Sequence, residues 1–526
     1  MQDQENGATG AQDVRNGAES MLATLVASGV DVCFANPGTS EMHFVAALDR
    51  FDDMRCILAL HETVAVGCAD GFARMADRPA ATMLHLGPGL ANGVSNLHNA
   101  RRAGTPIVNL IGEHASWHRE LDAPLNSDIA GLAAPFSDWV RVSAGAGALA
   151  QDTADAVAAA RGAPGAVASL IIPADAAWGP AKAAAKAPAA RAPSRVAADE
   201  VERVARLLRG GEPTALLVSG AALRARLAET LARIAAATGV KVFAQAFNAR
   251  MERGAGRAVV ESLPFVTDQA VEALAPYRRL VLVGAKAPVA FFAHPAKPSV
   301  LTHPDCVIDA FAGPEHDLAA ALEDLASAVG ARPNVAAREG ARPEPPMGAI
   351  TPQSLGMAIA AAIPDDAVVV DESITSGRAL VALTATARPH DLLQNLGGSI
   401  GVGMPLATGA AIAQPGRKVL CLESDGSGLY APQALWTQAR ENLDVVTLVF
   451  SNRAYGVLKH ELRNMGAGNG RRSTNVLELD RPAIDWTALA RGFGVPARRV
   501  DTIEGVYEAL RDALRAGGPA LVEAVF

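Results

Sequence analysis

Two loops in the last quarter of the chain hold side chains that could grip a hard metal ion. Within Lys418 to Gly456 an apolar run (Lys418 to Leu422) breaks at Ser424-Asp425-Gly426-Ser427, and a helix-like segment follows. A second run (Val445 to Phe450) breaks at Ser451-Asn452-Arg453. The pattern reads as strand, loop, helix, strand, loop. In a parallel sheet both loops leave the carboxyl ends of strands, where open α/β folds bind ligands, so Asp425 and Asn452 can converge across 27 positions (425 to 452). A carboxylate and an amide oxygen aimed at one point suit Mg²⁺, which takes few protein oxygens and completes its octahedron with phosphate oxygens and water. The pair therefore implies a bound diphosphate rather than an all-protein cage. On the tetrapeptide alone, Asp-Gly after a strand is equally a plain turn.

Other candidates share this placement after apolar runs. Asn36-Pro37-Gly38-Thr39-Ser40-Glu41 follows the run Val30 to Phe34, and locally Thr39 or Ser40 is a helix cap. Glu62 opens a helical pattern, TVAVGCADGFARMA, where a carboxylate also serves simply as partner to the helix dipole. His85 ends the run AATMLH, 23 positions later (62 to 85), and a lone histidine there can be structural. His114 and His118, in GEHASWH after PIVNLI, could face the same cleft, with no role assigned. Asp371-Glu372-Ser373-Ile374-Thr375-Ser376 offers hydroxyls and N–H groups that suit phosphate oxygens or cap a helix equally well.

The elements that must position these residues follow from patterning. A chain of 526 residues, 50% apolar and 19% charged, allows three or so domains, with no apolar run long enough to span a bilayer. Net charge is −8 without a basic cluster, which argues against nucleic acid or anionic membranes as partners. Residues 1–13 read as a disordered tail without a secretion signal. Five scattered cysteines without a CxxC pair suggest reduced thiols and a cytoplasmic location. Linker-like stretches at Gly179 to Arg195 and Gly330 to Gly348 divide the chain into 14–180, 196–330 and 349–526. Each part alternates helical patterns with short apolar runs, which predicts an α/β protein of three doubly wound parallel-sheet domains.

The two loops resemble the thiamin-diphosphate motif, Gly-Asp-Gly followed just under thirty residues later by Asn-Asn, with Ser424 and Ser451 in place of a Gly and an Asn. From about Gly17 to Phe526 the chain is similar to the thiamin-diphosphate-dependent decarboxylase and acetolactate synthase superfamily, closest in motifs to benzoylformate decarboxylase. The resemblance implies that Asp425, Asn452 and the Ala454 carbonyl hold Mg²⁺ (or Ca²⁺). Gly426, Ser427, Tyr455, Gly456, Ser373 and Thr375 would surround the diphosphate. Gly398 and Ile400, in GGSIGVGMP, would receive the 4′-amino group and wedge the two rings into a V. Glu62, before small packing residues Ala65, Gly67, Ala69 and Gly71, would contact N1′ of the aminopyrimidine.

By the same resemblance His85 would carry protons and Thr39 would bind the substrate carboxylate, both as catalytic residues. Phe291 stands where benzoylformate decarboxylase places a second histidine, and His460-Glu461 where it has aromatic residues, so a more polar acyl pocket is expected. The middle domain has no Gly-rich fingerprint, so FAD is allowed by the family but not indicated. The implied reaction is non-oxidative decarboxylation of a 2-oxo acid through an enamine. The alternatives are an acetolactate synthase-like carboligase or an inactive cofactor-binding scaffold. The implied assembly is a homodimer at minimum, within a homotetramer.

Overall fold

The computed structural model describes residues 14–333, 341, 343–467 and 470–526; the tail expected over 1–13 lies outside them, as do 334–340 and 342 of the second linker. Its strands form three sheets with helices between them, the α/β class expected. The first sheet is parallel throughout, in spatial order Arg55–Leu58, Val32–Asn36, Ala80–Leu84, Ile107–Glu113, Val167–Pro173 and Trp139–Val142. The second, also parallel, runs Glu261–Ser262, Lys241–Ala244, Thr214–Val218, Arg279–Val283 and Val307–Ala312. The third runs Ala497–Val500, Ala520–Val525, Val445–Ser451, Val419–Ser424, Ala367–Glu372 and His390–Gln394 in parallel, and ends on Met251–Arg253, which is antiparallel.

That last strand comes from the middle of the chain and covers what would otherwise be an open edge. Its approach is fixed by charge. Arg250 and Arg417 each hold Asp391 at 2.6 Å, and Arg250 also donates to the carbonyl of Arg74 at 3.0 Å, so the three segments meet at one buried carboxylate. Asp391 is held below the usual carboxylate range by these guanidinium groups, which outweigh the opposing effect of its burial.

The first and third sheets are coupled by two helices, Glu62–Ala76 and Gly403–Ala413. Their small residues allow backbone-to-backbone packing: a Cβ added at Gly71 would stand 2.0 Å from the Leu406 carbonyl oxygen, and one at Gly409 would stand 1.8 Å from that of Cys68. Gly67 and Gly71 thus face the second helix, at Pro405 and Leu406, and this packing anchors the helix that carries Glu62 at its first position.

Candidate active site

Register brings the first group together. Asn36 pairs with Leu84 and Leu84 with Ile111, so the first two strands end level while the third runs on to Glu113 beside their loops. Gly38 packs on the face of the His85 ring, where a Cβ would stand 2.4 Å away. Glu41, which closes the short turn Thr39–Glu41, accepts at Oε2 from the Gly38 N–H (2.7 Å) and lies 2.7 Å from His85 Nδ1. Its Oε1 is buried without a hydrogen-bond partner and lies against Gly112, and burial raises the Glu41 pKa despite the facing imidazole. Glu62 is 7% exposed and accepts from Asn92 Nδ2 at 3.0 Å. Gly89 sits between the two functional side chains: a Cβ there would stand 3.1 Å from Glu62 Oε1 and 3.3 Å from His85 Cβ. Thr39 is exposed on the same turn as Glu41, while the His114 and His118 rings meet at a tilt of 57° with centroids 5.4 Å apart.

The second group sits on the third sheet. Strands Val419–Ser424 and Val445–Ser451 are neighbours with Ser424 opposite Phe450, and the loops after them touch: Asp425 Oδ2 accepts from the Arg453 N–H at 2.6 Å. Arg453 has φ +55°, a left-handed kink that turns the second loop over the first. Asn452 Oδ1 accepts from the Ala454 N–H at 3.0 Å, and the Ala454 carbonyl from the Gly456 N–H at 2.9 Å. A Cβ at Gly456 would lie 3.0 Å from Thr375 Oγ1 and 3.5 Å from Asn452 Nδ2, which joins the Ser373–Ser376 turn to the same place. Gly426 similarly faces the Tyr455 ring, where a Cβ would stand 2.7 Å away. A pocket of about 280 Å³ opens here, lined by Thr375, Ser376, Asn452 and Gly456 together with Arg378, His460 and Arg463.

Two of the expected phosphate-site hydroxyls turn inward. Ser373 Oγ donates to Asp371, and Ser427 Oγ donates to Glu423 Oε1 at 2.6 Å. Burial pushes Asp425 up to about 6, against an ordinary 3.8, although N–H groups of Arg453 and Gly426 point at it. Beneath the loops, Glu372 and Glu423 stand opposite each other on neighbouring strands. Burial raises Glu372 to about 7, and burial together with the Glu372 carboxylate raises Glu423 well above its ordinary value. Glu372 binds the N–H groups of Gly401 (3.1 Å) and Gly403 (2.6 Å), so it shapes the segment that holds Gly398 and Ile400.

Residues 15–132 match the family described as thiamine pyrophosphate enzyme, N-terminal TPP binding domain, and residues 376–524 match its C-terminal TPP binding domain. The chain is 48% identical to IlvX of Mycobacterium tuberculosis, whose name assigns it provisionally as an acetolactate synthase large subunit; the match covers 97% of this chain and 99% of that protein. The chain belongs to the thiamine pyrophosphate enzymes. It is also 32% identical to benzoylformate decarboxylase of Pseudomonas aeruginosa, over 94% of this chain and 96% of the relative. A thiamine diphosphate-dependent 4-hydroxybenzoylformate decarboxylase from Rhodococcus jostii shares the fold, with TM-score 0.84, 24% identity and coverage of 97% and 99%.

The residues present fit the coenzyme of this enzyme family. Asp425 is an ionisable oxygen donor kept out of water, and hydroxyls, N–H groups and two arginines surround the adjoining pocket. Among the described residues no cluster of three His, Cys, Asp or Glu side chains could hold a metal, so a cation here depends on amide, carbonyl and phosphate oxygens. Sequence reasoning passed over Glu41, whose partner His85 is 44 positions away (41 to 85); an acid two positions after Thr39 was visible only as part of a cap. It also passed over Asn92, Glu372 and Glu423, which act through contacts that spacing does not reveal. His460 lines the pocket beside Asn452 and Gly456, and Glu461 faces His294 of the middle domain at 3.4 Å.

Proposed function

We propose that this enzyme binds thiamin diphosphate with Mg²⁺ and releases CO₂ from a 2-oxo acid without oxidation. Asp425, Asn452 and the Ala454 carbonyl would hold the cation, and Thr375, Gly426, Tyr455 and Gly456 would surround the diphosphate. Gly398 and Ile400 would meet the rings, and Glu62 would meet the aminopyrimidine. When bound, the coenzyme supplies the electron sink for the carbon that loses CO₂. Glu62 offers Oε1 for a shared proton because Asn92 already occupies Oε2. Glu41 engages Nδ1 of His85, which leaves Nε2 as the nitrogen able to take or give a proton. Thr39 presents a hydroxyl on the same turn for the substrate carboxylate.

The observation that most supports this reading is the Glu41, His85 and Glu62 group around Gly89: two carboxylates and an imidazole, each oriented by a partner, at the end of one sheet. The family resemblance supports a homodimer whose subunits each supply half of two sites, one the Glu62 side and the other the Asp425 side. A second reading, capture of the same carbon by another carbonyl as in acetolactate synthase, draws support from the name carried by the 48% identical relative. The test is product analysis with coenzyme-loaded enzyme over a panel of aliphatic and aromatic 2-oxo acids. Free aldehyde with CO₂ is the expected outcome, acetolactate without aldehyde would replace the first reading by the second, and CO₂ from none of the acids would remove both.

A further inference from the structure

The middle domain presents phenylalanines where its fold class usually binds ligands. Phe247, Phe265 and Phe291 stand in loops beyond the carboxyl ends of three parallel strands, Lys241–Ala244, Glu261–Ser262 and Arg279–Val283. Their rings pack edge to face: Phe247 to Phe265 at 5.5 Å, Phe265 to Phe291 at 5.5 Å and Phe291 to Phe247 at 6.4 Å, with Phe292 5.0 Å from Phe291. This wall faces the third sheet's loops. A Cβ on Gly398 would stand 2.6 Å from Phe291 Cζ, and His294, three positions on, meets Glu461 at the end of the helix that follows the Asn452 loop. Yet Phe265 and Phe291 remain 43% and 47% exposed, and Phe292 65%.

We propose that Phe291, backed by Phe247 and Phe265, is the specificity-determining wall of the acyl pocket and selects a 2-oxo acid with a large apolar acyl group, aryl or branched, over pyruvate. The inference rests on the coenzyme reading above, which puts Gly398 against the reacting end. A methyl group covers little of such a wall, whereas an aryl or branched group buries several further carbons against it. His294 Nε2 stands 3.4 Å from Glu461 Oε2 beside the wall, so the polar groups nearest the rings face each other.

The test uses methyl benzoylphosphonate and methyl acetylphosphonate, analogues whose phosphonate cannot leave as CO₂, titrated calorimetrically into enzyme loaded with thiamin diphosphate and Mg²⁺. The benzoyl compound should bind about tenfold or more tighter. Phe291→Ala should cut the ratio to about threefold or less, with affinity for the acetyl compound and for thiamin diphosphate retained. Equal affinities in the wild type, or a ratio that survives both Phe291→Ala and Phe265→Ala, would overturn the proposal. So would dissociation of an oligomer by Phe292→Asp with the ratio intact, because the rings would then be covered by a second copy. CO₂ release measured in parallel separates the two readings. No CO₂ from any acid, with the binding ratio and its loss as expected, removes decarboxylation alone; CO₂ from pyruvate without preference removes the wall alone.

Discussion

The group around His85 on the first sheet and the loops around Asp425 on the third occupy the same structural address, the carboxyl ends of neighbouring parallel strands, but they differ in how many buried carboxyls they hold. On the first sheet each functional side chain already has a partner: Glu62 has Asn92, and His85 has Glu41. On the third, burial raises three carboxyls, Asp425 to about 6, Glu372 to about 7 and Glu423 well above its ordinary value, whereas on the first it raises Glu41. The first site is organised in the bare protein; the second stores electrostatic cost that a bound cation would relieve.

The largest expected effect tests the organised side. Glu62→Gln preserves shape and keeps an acceptor for Asn92 but removes the ionisable oxygen, so turnover should fall by about 10²–10⁴-fold while thermal unfolding stays near wild type. Measured turnover within a few-fold of wild type would mean that the first site's arrangement serves structure alone.

Asp425→Asn tests the other side, and its sign is unusual. An acid raised to about 6 from 3.8 binds its proton more tightly folded than unfolded, so the stability it lends is complete below about pH 4 and is lost as pH climbs through 6. The variant should therefore lose metal and coenzyme together, yet be more stable than coenzyme-free wild type at pH 8 by on the order of 1–3 kcal/mol, with no gain near pH 4. Urea titrations of both proteins at the two pH values decide it. In the wild type, metal affinity should weaken as pH falls below about 6, because the proton competes for the same oxygen.

This asymmetry explains what could be read from residue order alone. Central strands such as Ile107–Glu113 and Val445–Ser451 are buried along their length and show as apolar runs, which made the α/β class legible. Trp139–Val142 and Ala497–Val500 lie at sheet edges, carry arginines and leave no such run. His390–Gln394 is fully buried yet polar, because arginines from two other segments neutralise Asp391. That the Asp425 and Asn452 loops meet was legible because their strands are neighbours in the sheet and also close in sequence. The Glu41 partner of His85 was not, since that pairing depends on the order of strands in the sheet, which spacing leaves open.

A smaller effect separates orientation from chemistry within the first site. Glu41 Oε2 serves both the Gly38 N–H and the His85 ring, and a glutamine offers one carbonyl and one NH₂ in its place. If the NH₂ turns to Nδ1 it favours the tautomer that leaves Nε2 protonated, so Glu41→Gln should lower kcat about tenfold with KM little changed. An equal fall in substrate affinity would instead place Glu41 in binding.

The smallest expected effect concerns Ser427, which the family pattern sets beside the diphosphate and the fold turns toward Glu423 at 2.6 Å. If the hydroxyl serves the buried carboxyl, Ser427→Ala should destabilise the coenzyme-free protein by about 1 kcal/mol, the worth of one hydrogen bond to a group that burial disfavours. Thiamin diphosphate affinity should then stay within about threefold of wild type, since less than 0.7 kcal/mol is at stake. If the hydroxyl rotates onto a phosphate when the coenzyme enters, the order reverses: affinity drops about tenfold or more and the bare protein barely responds. Denaturation of the coenzyme-free protein and coenzyme titration, measured on one preparation, tell these apart. They also show whether the strained half of the site keeps its internal hydrogen bonds or surrenders them to the coenzyme it was built to hold.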